Sequence, residues 1–284
     1  MPDTPLSLIH RLLRKGRILV DGKPAAADLR IRSGQNITVP LEKNTNKTAS
    51  AVSFVVNIPP PLAPLILYES PDFLVLNKPA GLAVHGDDSL DTMVQTYLAP
   101  KIPPSLSFRP GPLHRLDKPT GGIIVFSASL AGARRFSALL QARSLTKGYL
   151  ALVEGVIKKE GGWEDCLVRD HERQKTFTAV GENAKHARTR FKPLMVKPPY
   201  TLLQLEPDTG RTHQIRAQAA AHGHPLAGDR KYGSRQNGEL LLHATFLEIP
   251  MELAAAEPRL PPRIEAPLPE KFKARVKEIF GKEI

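Results

Sequence analysis

The sequence predicts an α+β fold in which helices pack on a mixed, mostly antiparallel sheet, with a smaller α/β domain at the N-terminus. Two observations lead to this prediction. Segments with strand character follow one another between residues 65 and 249, and few of them alternate with helices in the strict βαβ order of a parallel sheet. The chain of 284 residues, with 41% apolar side chains, is also long enough to bury a large core.

Residues 1–40 are predicted to form the small domain. Its first segment places apolar side chains on one side of a helix: Leu8, Ile9, Leu12 and Leu13. Gly16 is expected to end this helix, and the segments RILV and QNITV are expected to be strands, with a hairpin turn at DGK. Basic residues cluster on and just after the helix, and they form either a nucleic-acid contact or a solvated helix face: Arg11, Arg14, Lys15 and Arg17.

Residues 41–64 are predicted to be a linker, because they begin with polar residues and end in prolines. The large domain then covers residues 65–284. Its predicted strands are 73–81, 121–129, 147–157 and 240–249, with a hairpin formed by TRFKPLMV and YTLLQLEP. Its predicted helices are 130–144, the second part of 208–223, and a C-terminal segment from about residue 270.

The charge balance favours a polyanionic partner, since 40 basic and 28 acidic residues give a net charge of +12. RNA and DNA are the usual partners of such a chain, and a basic protein without a nucleic-acid role is the alternative. The single cysteine, Cys166, excludes an internal disulfide and a thiolate metal site. Neither an apolar leader nor a membrane-length apolar run is found, so we expect a cytoplasmic protein.

Asp117 is the first candidate catalytic residue, in the stretch PGPLHRLDKPTGG before an apolar strand. The neighbouring Arg115 and Lys118 favour the ionised carboxylate, which can act as a nucleophile toward an electrophilic carbon. A carboxylate that only caps the turn is the alternative. Arg115 is expected on the same face as Asp117, where it could screen the acid, bind phosphate or stack on a base, or form a plain surface ion pair.

Tyr149 and Arg211 are the next candidates. In the segment KGYLALV, a strand places Tyr149 on the same face as Lys147, where it offers a ring for stacking and a hydroxyl for proton transfer; a core tyrosine is the alternative. In the segment DTGRTHQIR, Arg211 stands at the start of a predicted helix, where the helix dipole disfavours a cation without an anionic partner. We therefore expect Arg211 to pair with a carboxylate or phosphate, and Asp117 is the predicted partner.

Metal and cofactor chemistry is not predicted. His213, His222 and His224 are close in sequence, but no nearby carboxylate or cysteine completes a metal site. Neither a phosphate-binding glycine-rich loop nor a dinucleotide fingerprint follows a predicted strand.

Four motifs in order, HRLDKPTGG, TKGYLALVEG, GRTHQIRAQ and GHPLAGDRKYG, resemble the RluA family of pseudouridine synthases. The upstream segment PLILYESPDFLVLNKPAGLAVHG is similar to the same family, so the resemblance spans about residues 65–247. It implies a sheet domain of pseudouridine synthase type that isomerises a flipped-out uridine in RNA without cofactor or metal. Asp117 matches the catalytic aspartate, and attack on the ribose, attack on the base and removal of a sugar proton remain open as its role.

The resemblance also implies roles for other residues of these motifs. Arg115 would fill the gap left by the flipped base, while Tyr149 would stack on the uracil and take the C5 proton. Arg211 would pair with the aspartate, and Ile215 would supply an apolar pocket wall. Two further residues of the motifs are expected to contact RNA: His114 and Arg216.

The N-terminal segment LIHRLLRKGRILVDGKPAAADLRIRSGQNITVP resembles the alpha-L RNA-binding module. That module usually begins with another helix, so we expect a truncated module here or a true start upstream. The domain order is most similar to synthases of large-subunit ribosomal RNA, and the expected partner is RNA, bound by a monomer. Transfer RNA as substrate, a non-catalytic RNA-binding assembly factor, and a nucleoside glycosidase are the alternatives, although a glycosidase usually needs two carboxylates.

Overall fold

The computed structural model describes residues 6–29, 37–38, 62–86, 88–103, 105, 108–256 and 260–284. Its described N-terminal part consists of one helix and three short strands: α1 (Leu6–Arg14), β1 (Leu19–Val20), β2 (Lys23–Pro24) and β3 (Ile37–Thr38). These strands form an antiparallel sheet in the order β2-β1-β3. The helix ends as predicted, because Gly16 has a positive φ of 61° and its N–H donates to the Leu13 carbonyl at 2.9 Å.

A small apolar cluster holds this N-terminal part together, and its buried members are Leu12, Ile18, Val20 and Ala25. Leu12 of the helix is buried, and Ile9 and Leu13 pack against the cluster while partly buried, so the predicted apolar side of the helix is confirmed for these three residues. Most of the predicted linker, up to residue 61, lies outside the described residues. The division of the chain into domains at 40 and 64 therefore stays a prediction.

The remaining described residues carry the other strands and helices. The strands are β4 (Ile66–Glu69), β5 (Phe73–Lys78), β6 (Gly111–Pro112), β7 (Gly121–Ser127), β8 (Thr146–Glu154), β9 (Gly161–Asp170), β10 (Lys175–Thr178), β11 (Lys185–Lys197), β12 (Tyr200–Pro207), β13 (Leu242–Glu248) and β14 (Arg263–Glu265). The helices are α2 (Leu90–Leu98), α3 (Leu130–Gln141), α4 (Gln214–Ala221), α5 (Met251–Ala254) and α6 (Glu270–Phe280). No helix among these described residues is both long and apolar enough to cross a membrane.

The strands of this large part form one mixed sheet. Its order is β10-β9-β11-β12-β8-β13-β7-β5-β4, with β14 paired to β13 and β6 paired to β7. Neighbouring strands are antiparallel except for β13 and β7, which run parallel with Ala244 opposite Gly122. The predicted α+β class with a mostly antiparallel sheet is therefore confirmed.

The apolar strands were predicted close to their observed positions, whereas the β9–β10 hairpin was not predicted. β9 begins with two glycines, buries Trp163 and Leu167 on one face and leaves Glu164 and Cys166 exposed on the other. Such a strand has little apolar character in sequence and gains its stability from pairing with β11. The helix α2, capped by the Ser89 hydroxyl, was likewise not predicted.

The core consists of apolar layers on both faces of the sheet. In β5 and β7, Leu74 and Ile124 face α2, while Val75 and Val125 face α3, which is why FLVL and IIVF are continuous apolar runs. In the other half, α4 covers one face through Ala219. The helix α6 covers the opposite face with Phe272 and Val276.

Two glycines allow the close contacts at the centre of the sheet. A Cβ atom on Gly148 would lie 1.9 Å from the Phe246 ring, so only glycine fits between Lys147 and Tyr149 of β8. Gly122 has a φ of +106°, and a Cβ atom there would lie 2.1 Å from the Ala244 carbonyl oxygen. Both contacts bring β8, β13 and β7 together directly behind the turn that carries Asp117.

Candidate active site

A cleft of about 250 Å³ opens where the turn before β7, the beginning of β8 and the segment before α4 meet. This arrangement brings the predicted catalytic side chains of three distant motifs together. The polar residues that line the cleft include His114, Arg115, Asp117, Thr120, Lys147, Tyr149, Arg211, His213, Gln214 and Arg216. The apolar wall includes Leu113, Leu116, Leu140, Ile215 and Leu242.

Asp117 lies in a turn that is held from both sides. The Thr120 N–H donates to the Asp117 carbonyl at 3.0 Å, and the Gly81 N–H donates to the Lys118 carbonyl at 2.8 Å. The buried ammonium of Lys78 also donates to the Lys118 carbonyl, at 3.1 Å. Burial lowers the pKa of Lys78 to about 8, against the opposing effect of the Asp117 carboxylate. Two hydrogen bonds between backbone groups and one from a buried lysine therefore position the aspartate.

Arg216 is the cation that pairs with Asp117. Its Nη1 lies 3.4 Å from Asp117 Oδ2, while its Nε and Nη2 donate to Asp229 Oδ2 and Oδ1 at 2.6 and 2.7 Å. Its guanidinium also stacks over the Tyr232 ring, at 4.9 Å from the centroid. Burial alone would lower the pKa of Arg216, but the bonds to Asp229 and the charge of Asp117 outweigh it and raise the pKa. Arg216 is thus a permanent cation between two carboxylates.

The predicted pairing of Arg211 with Asp117 is wrong, because Arg216 occupies that place. Arg211 precedes α4, which begins at Gln214, and its Nε donates to the His186 carbonyl of β11 at 3.0 Å. Its guanidinium is therefore held at the rim of the cleft. Arg216 lies within the first turn of α4, on the side that faces Asp117.

The two carboxylate oxygens of Asp117 have different surroundings. Oδ2 faces Arg216 and lies 3.9 Å from His213 Nε2. Oδ1 receives no hydrogen bond from the part of the chain that the structure describes, and the side chain is 13% exposed. One oxygen is therefore held by the protein, while the other has no hydrogen-bond partner among the described residues, and the side chain lines the cleft.

Tyr149 lines the cleft next to Asp117, on the same face of β8 as Lys147. Burial raises the pKa of the Tyr149 hydroxyl, and the negative charge of Asp117 raises it further. The phenol is thus protonated at neutral pH, which suits stacking or hydrogen-bond donation and disfavours proton abstraction from C5 by this group. Proton abstraction by Tyr149 stays a prediction.

His114 is packed against the protein interior. Its ring stacks on Phe136 with 5.9 Å between centroids, and its Nε2 accepts the Val125 N–H at 3.1 Å. Burial, followed by the charge of Lys147, lowers the pKa of His114 to about 3, so the ring is neutral. These contacts favour a role in holding the turn, and its RNA contact stays a prediction. Arg115, the next residue, is exposed.

Several residues of this site had no role assigned from the sequence. Asp229 and Tyr232 belong to the GDRKYG motif, and Lys78 belongs to the segment NKPAG. The sequence features that could have indicated a role were the aspartate beside a glycine in the first motif and the lysine at the end of an apolar strand in the second. Neither signal indicates a partner, because the Arg216–Asp229 pair depends on how α4 packs beside the turn after it.

Comparisons with known proteins show what this chain is similar to. A family model described as RNA pseudouridylate synthase matches residues 72–221. Ribosomal large subunit pseudouridine synthase C of Vibrio vulnificus (strain CMCP6) is 34% identical over 274 residues, which cover 90% of this chain and 85% of that protein. The protein of the same name from Escherichia coli (strain K12) is 33% identical over 288 residues, which cover 96% and 88%.

Two solved structures have a similar fold. Human RNA pseudouridylate synthase domain containing 4 superposes with a TM-score of 0.63 at 24% identity, covering 78% of this chain and 95% of that chain. Human RNA pseudouridylate synthase domain containing 1 has a TM-score of 0.56 at 25% identity, with 77% and 95% covered. The segment matched by the family model runs from just before β5 to the end of α4 and so includes Asp117, Tyr149 and Arg216.

Proposed function

The chain belongs to the RNA pseudouridylate synthase family, and from this premise we propose that it isomerises specific uridines of large-subunit ribosomal RNA to pseudouridine. The observation that carries the proposal is the geometry of Asp117, which lines a cleft together with Tyr149 and contacts Arg216 through Oδ2. The relatives from Vibrio vulnificus and Escherichia coli, both named as ribosomal large subunit synthases, support the choice of RNA.

The chemistry requires few groups. Isomerisation breaks the N1–C1′ bond of uridine, forms a C5–C1′ bond and moves one proton from C5 to N1, so no electrons are gained or lost overall. Attack on C1′, attack on the base and removal of a sugar proton each require one ionised carboxylate with an accessible oxygen. We propose that Asp117 Oδ1 is this oxygen and that Arg216 holds the carboxylate in place through Oδ2.

The cleft offers two surfaces for a flipped uracil. The Tyr149 ring supplies a stacking surface and Ile215 an apolar wall, and both line the cleft. Arg115 is exposed beside them, where it can occupy the space that the flipped base leaves in the RNA. These roles follow from the resemblance to the family together with the positions of the three side chains.

The charges around the cleft support an RNA substrate. Within the described ranges, Arg115, Lys147 and Arg211 line the cleft without an ion pair to a carboxylate, so their charges are available for phosphates.

We further propose that the N-terminal part is an RNA-binding module, because Arg14, Lys15 and Arg17 are exposed on and after α1. Neutralising Arg11, Arg14, Lys15 and Arg17 together should weaken RNA binding and flatten its salt dependence.

The test is pseudouridine mapping in cells that lack the gene and are complemented with wild type or Asp117→Asn. We expect specific large-subunit ribosomal sites to disappear and to return only with the wild-type gene. If sites disappear from transfer RNA instead, the proposed reaction stands, and transfer RNA replaces ribosomal RNA as the proposed substrate. If no site changes while the protein binds RNA, a non-catalytic assembly factor becomes the better description.

A further inference from the structure

His213 occupies an unusual position directly before α4. Its backbone is left-handed, with a φ of +53°, a conformation that few residues other than glycine and asparagine adopt without cost. Its side chain is 12% exposed and lines the cleft. The ring contacts three side chains there: Asp117, Arg169 and Tyr232.

The hydrogen bonds of the ring assign its tautomer. Arg169 Nη1 lies 3.3 Å from His213 Nδ1, and a guanidinium can only donate. The Tyr232 hydroxyl lies 2.9 Å from the same nitrogen; its oxygen accepts the Thr176 N–H at 2.8 Å, and its own proton can be donated to Nδ1 as well. Nδ1 is therefore an acceptor, and the hydrogen of the neutral ring lies on Nε2.

The surroundings also keep the ring neutral. Burial is the largest effect, and the cations Arg216, Arg169 and Lys231 act in the same direction, while Asp117 opposes them. Together they lower the pKa of His213 to about 4. An imidazolium would also place an N–H group against the Arg169 guanidinium, which is a repulsive contact.

We propose that His213 is a positioning residue for Asp117, acting as a neutral imidazole that directs its Nε2–H at Oδ2. The proposal rests on the proposed synthase function. Nε2 is 3.9 Å from Oδ2, which is longer than a hydrogen bond, and such contacts commonly shorten when a substrate is bound. Arg216 and His213 then hold the same oxygen from two directions, so that Oδ1 is the oxygen that meets the nucleoside.

A neutral donor suits this task better than a second cation. Arg216 already supplies a positive charge near the carboxylate, and another would reduce the electron density that the reacting oxygen needs. A neutral N–H group fixes the rotation of the carboxylate without adding charge. Tyr232 and Arg169 act through His213 by holding the tautomer that makes this possible.

The kinetic test compares two amides at this position in single-turnover assays with an RNA substrate. The amide nitrogen of a glutamine can reach the place of Nε2, whereas an asparagine tolerates the left-handed backbone but is too short. We expect His213→Asn to lower the single-turnover rate about tenfold to a hundredfold, the effect of a hydrogen bond to a charged group. RNA affinity should be unchanged, and His213→Gln should recover part of the rate.

His222→Asn is the matched control. His222 Nε2 lies 3.2 Å from an aspartate oxygen of Asp165 at the other end of α4, and its side chain is 40% exposed and outside the cleft. The control should keep the wild-type rate. A wild-type rate for His213→Asn, or equal rates for the asparagine and glutamine variants after their melting temperatures are matched, would overturn the proposal.

A second measurement does not depend on activity. Long-range ¹⁵N–¹H correlation spectra of histidine-labelled protein report the tautomer and charge of each ring, and the spectrum of His213→Asn identifies the signal. We expect a neutral ring protonated on Nε2 from pH 7 down to about pH 5. A ring protonated on Nδ1, or charged at pH 6, contradicts the inference even if the protein is an active synthase. An inactive wild-type protein would instead refute the proposed function. The spectra would still decide whether the His213 ring is neutral and protonated on Nε2.

Discussion

The two sides of Arg216 each carry an aspartate, and the two carboxylates differ in almost every physical respect. On the core side, Asp229 accepts two hydrogen bonds at 2.6 and 2.7 Å and is 2% exposed. On the cleft side, Asp117 has one contact with Arg216, at 3.4 Å, and is 13% exposed. A buried, bidentate carboxylate is a structural anchor, whereas a carboxylate held through one oxygen keeps the other for chemistry.

The difference shows that the position of Asp117, the proposed catalytic acid, depends on Asp229. Asp229 uses two of the guanidinium nitrogens and so fixes the plane of Arg216, which leaves Nη1 directed at Asp117. Tyr232 supports the same plane by stacking under it. Removing either aspartate should therefore have distinct effects, one on the reaction and the other on folding.

The largest expected effect is the loss of activity on changing Asp117 to asparagine. The variant loses the carboxylate that we propose acts on the nucleoside, so we expect the rate to fall about 10⁴-fold or more, as for other essential catalytic groups. The amide can still accept from Arg216, so stability and RNA affinity should change little. The measurements are pseudouridine formation and RNA binding on the same preparation. Joint loss of folding and activity would show that Asp117 is structural as well.

The second expected effect is on stability. Asp229→Asn removes the buried negative charge beside Arg216 and one of the two acceptors of its guanidinium, and breaking a buried ion pair typically costs about 4 kcal/mol. Denaturant unfolding should show this loss for Asp229→Asn and only a small change for Asp117→Asn. If the two variants are equally destabilised, the distinction between the two carboxylates fails.

Lowering the pH should destabilise the folded protein through the protonation of His213. The folded pKa of about 4 lies below the usual 6.5, so between these values the unfolded chain binds more protons. The free energy of unfolding should therefore be highest above pH 6.5 and fall as the pH approaches 4. At about 1.4 kcal/mol per pKa unit, His213 accounts for about 3 kcal/mol of this loss.

The same acid dependence has a direct control. His213→Asn should flatten the pH dependence of unfolding between pH 6.5 and 4, whereas His222→Asn, which alters the exposed histidine beside Asp165, should not. His243 is buried and its pKa is lowered to about 4, with burial the largest cause, so part of the dependence will remain in both variants. An unchanged slope in His213→Asn would show that its ring is charged in the folded protein.

Site residues that are recognisable within a short sequence segment were predicted better than contacts between distant segments. Asp117 and Tyr149 stand in a glycine-containing turn and an apolar strand, and both features are visible in short segments. The Asp117–Arg216 contact joins residues 99 positions apart, so the choice between Arg211 and Arg216 could not be made from spacing. That choice depends on the start of α4 at Gln214, which places one arginine before the helix and the other inside it.

The prediction of the strands was limited in the same way, because it succeeded only where a short segment has a clear apolar pattern. Strands buried on both faces, such as β5 and β7, have continuous apolar runs and were predicted. The β9–β10 hairpin has one exposed polar face and was missed, although it supplies Arg169 to the cleft side. Polar strands at a sheet edge are specified by their neighbours, which a single sequence does not show.

The smallest expected effect concerns the rim of the cleft and its RNA phosphates. Arg211 has no carboxylate partner among the described residues, whereas Arg188 of β11 is paired with Asp208 at 3.6 Å. Because Ala187 and Thr189 are buried, Arg188 projects from the opposite face of the sheet. If Arg211 contacts a phosphate, Arg211→Gln should lower the slope of log affinity against log salt by about one, and Arg188→Gln should leave it unchanged. Equal slopes for the two variants would mean that RNA does not reach Arg211, and the RNA path across the cleft would then have to follow the side of Asp117 that carries Arg115.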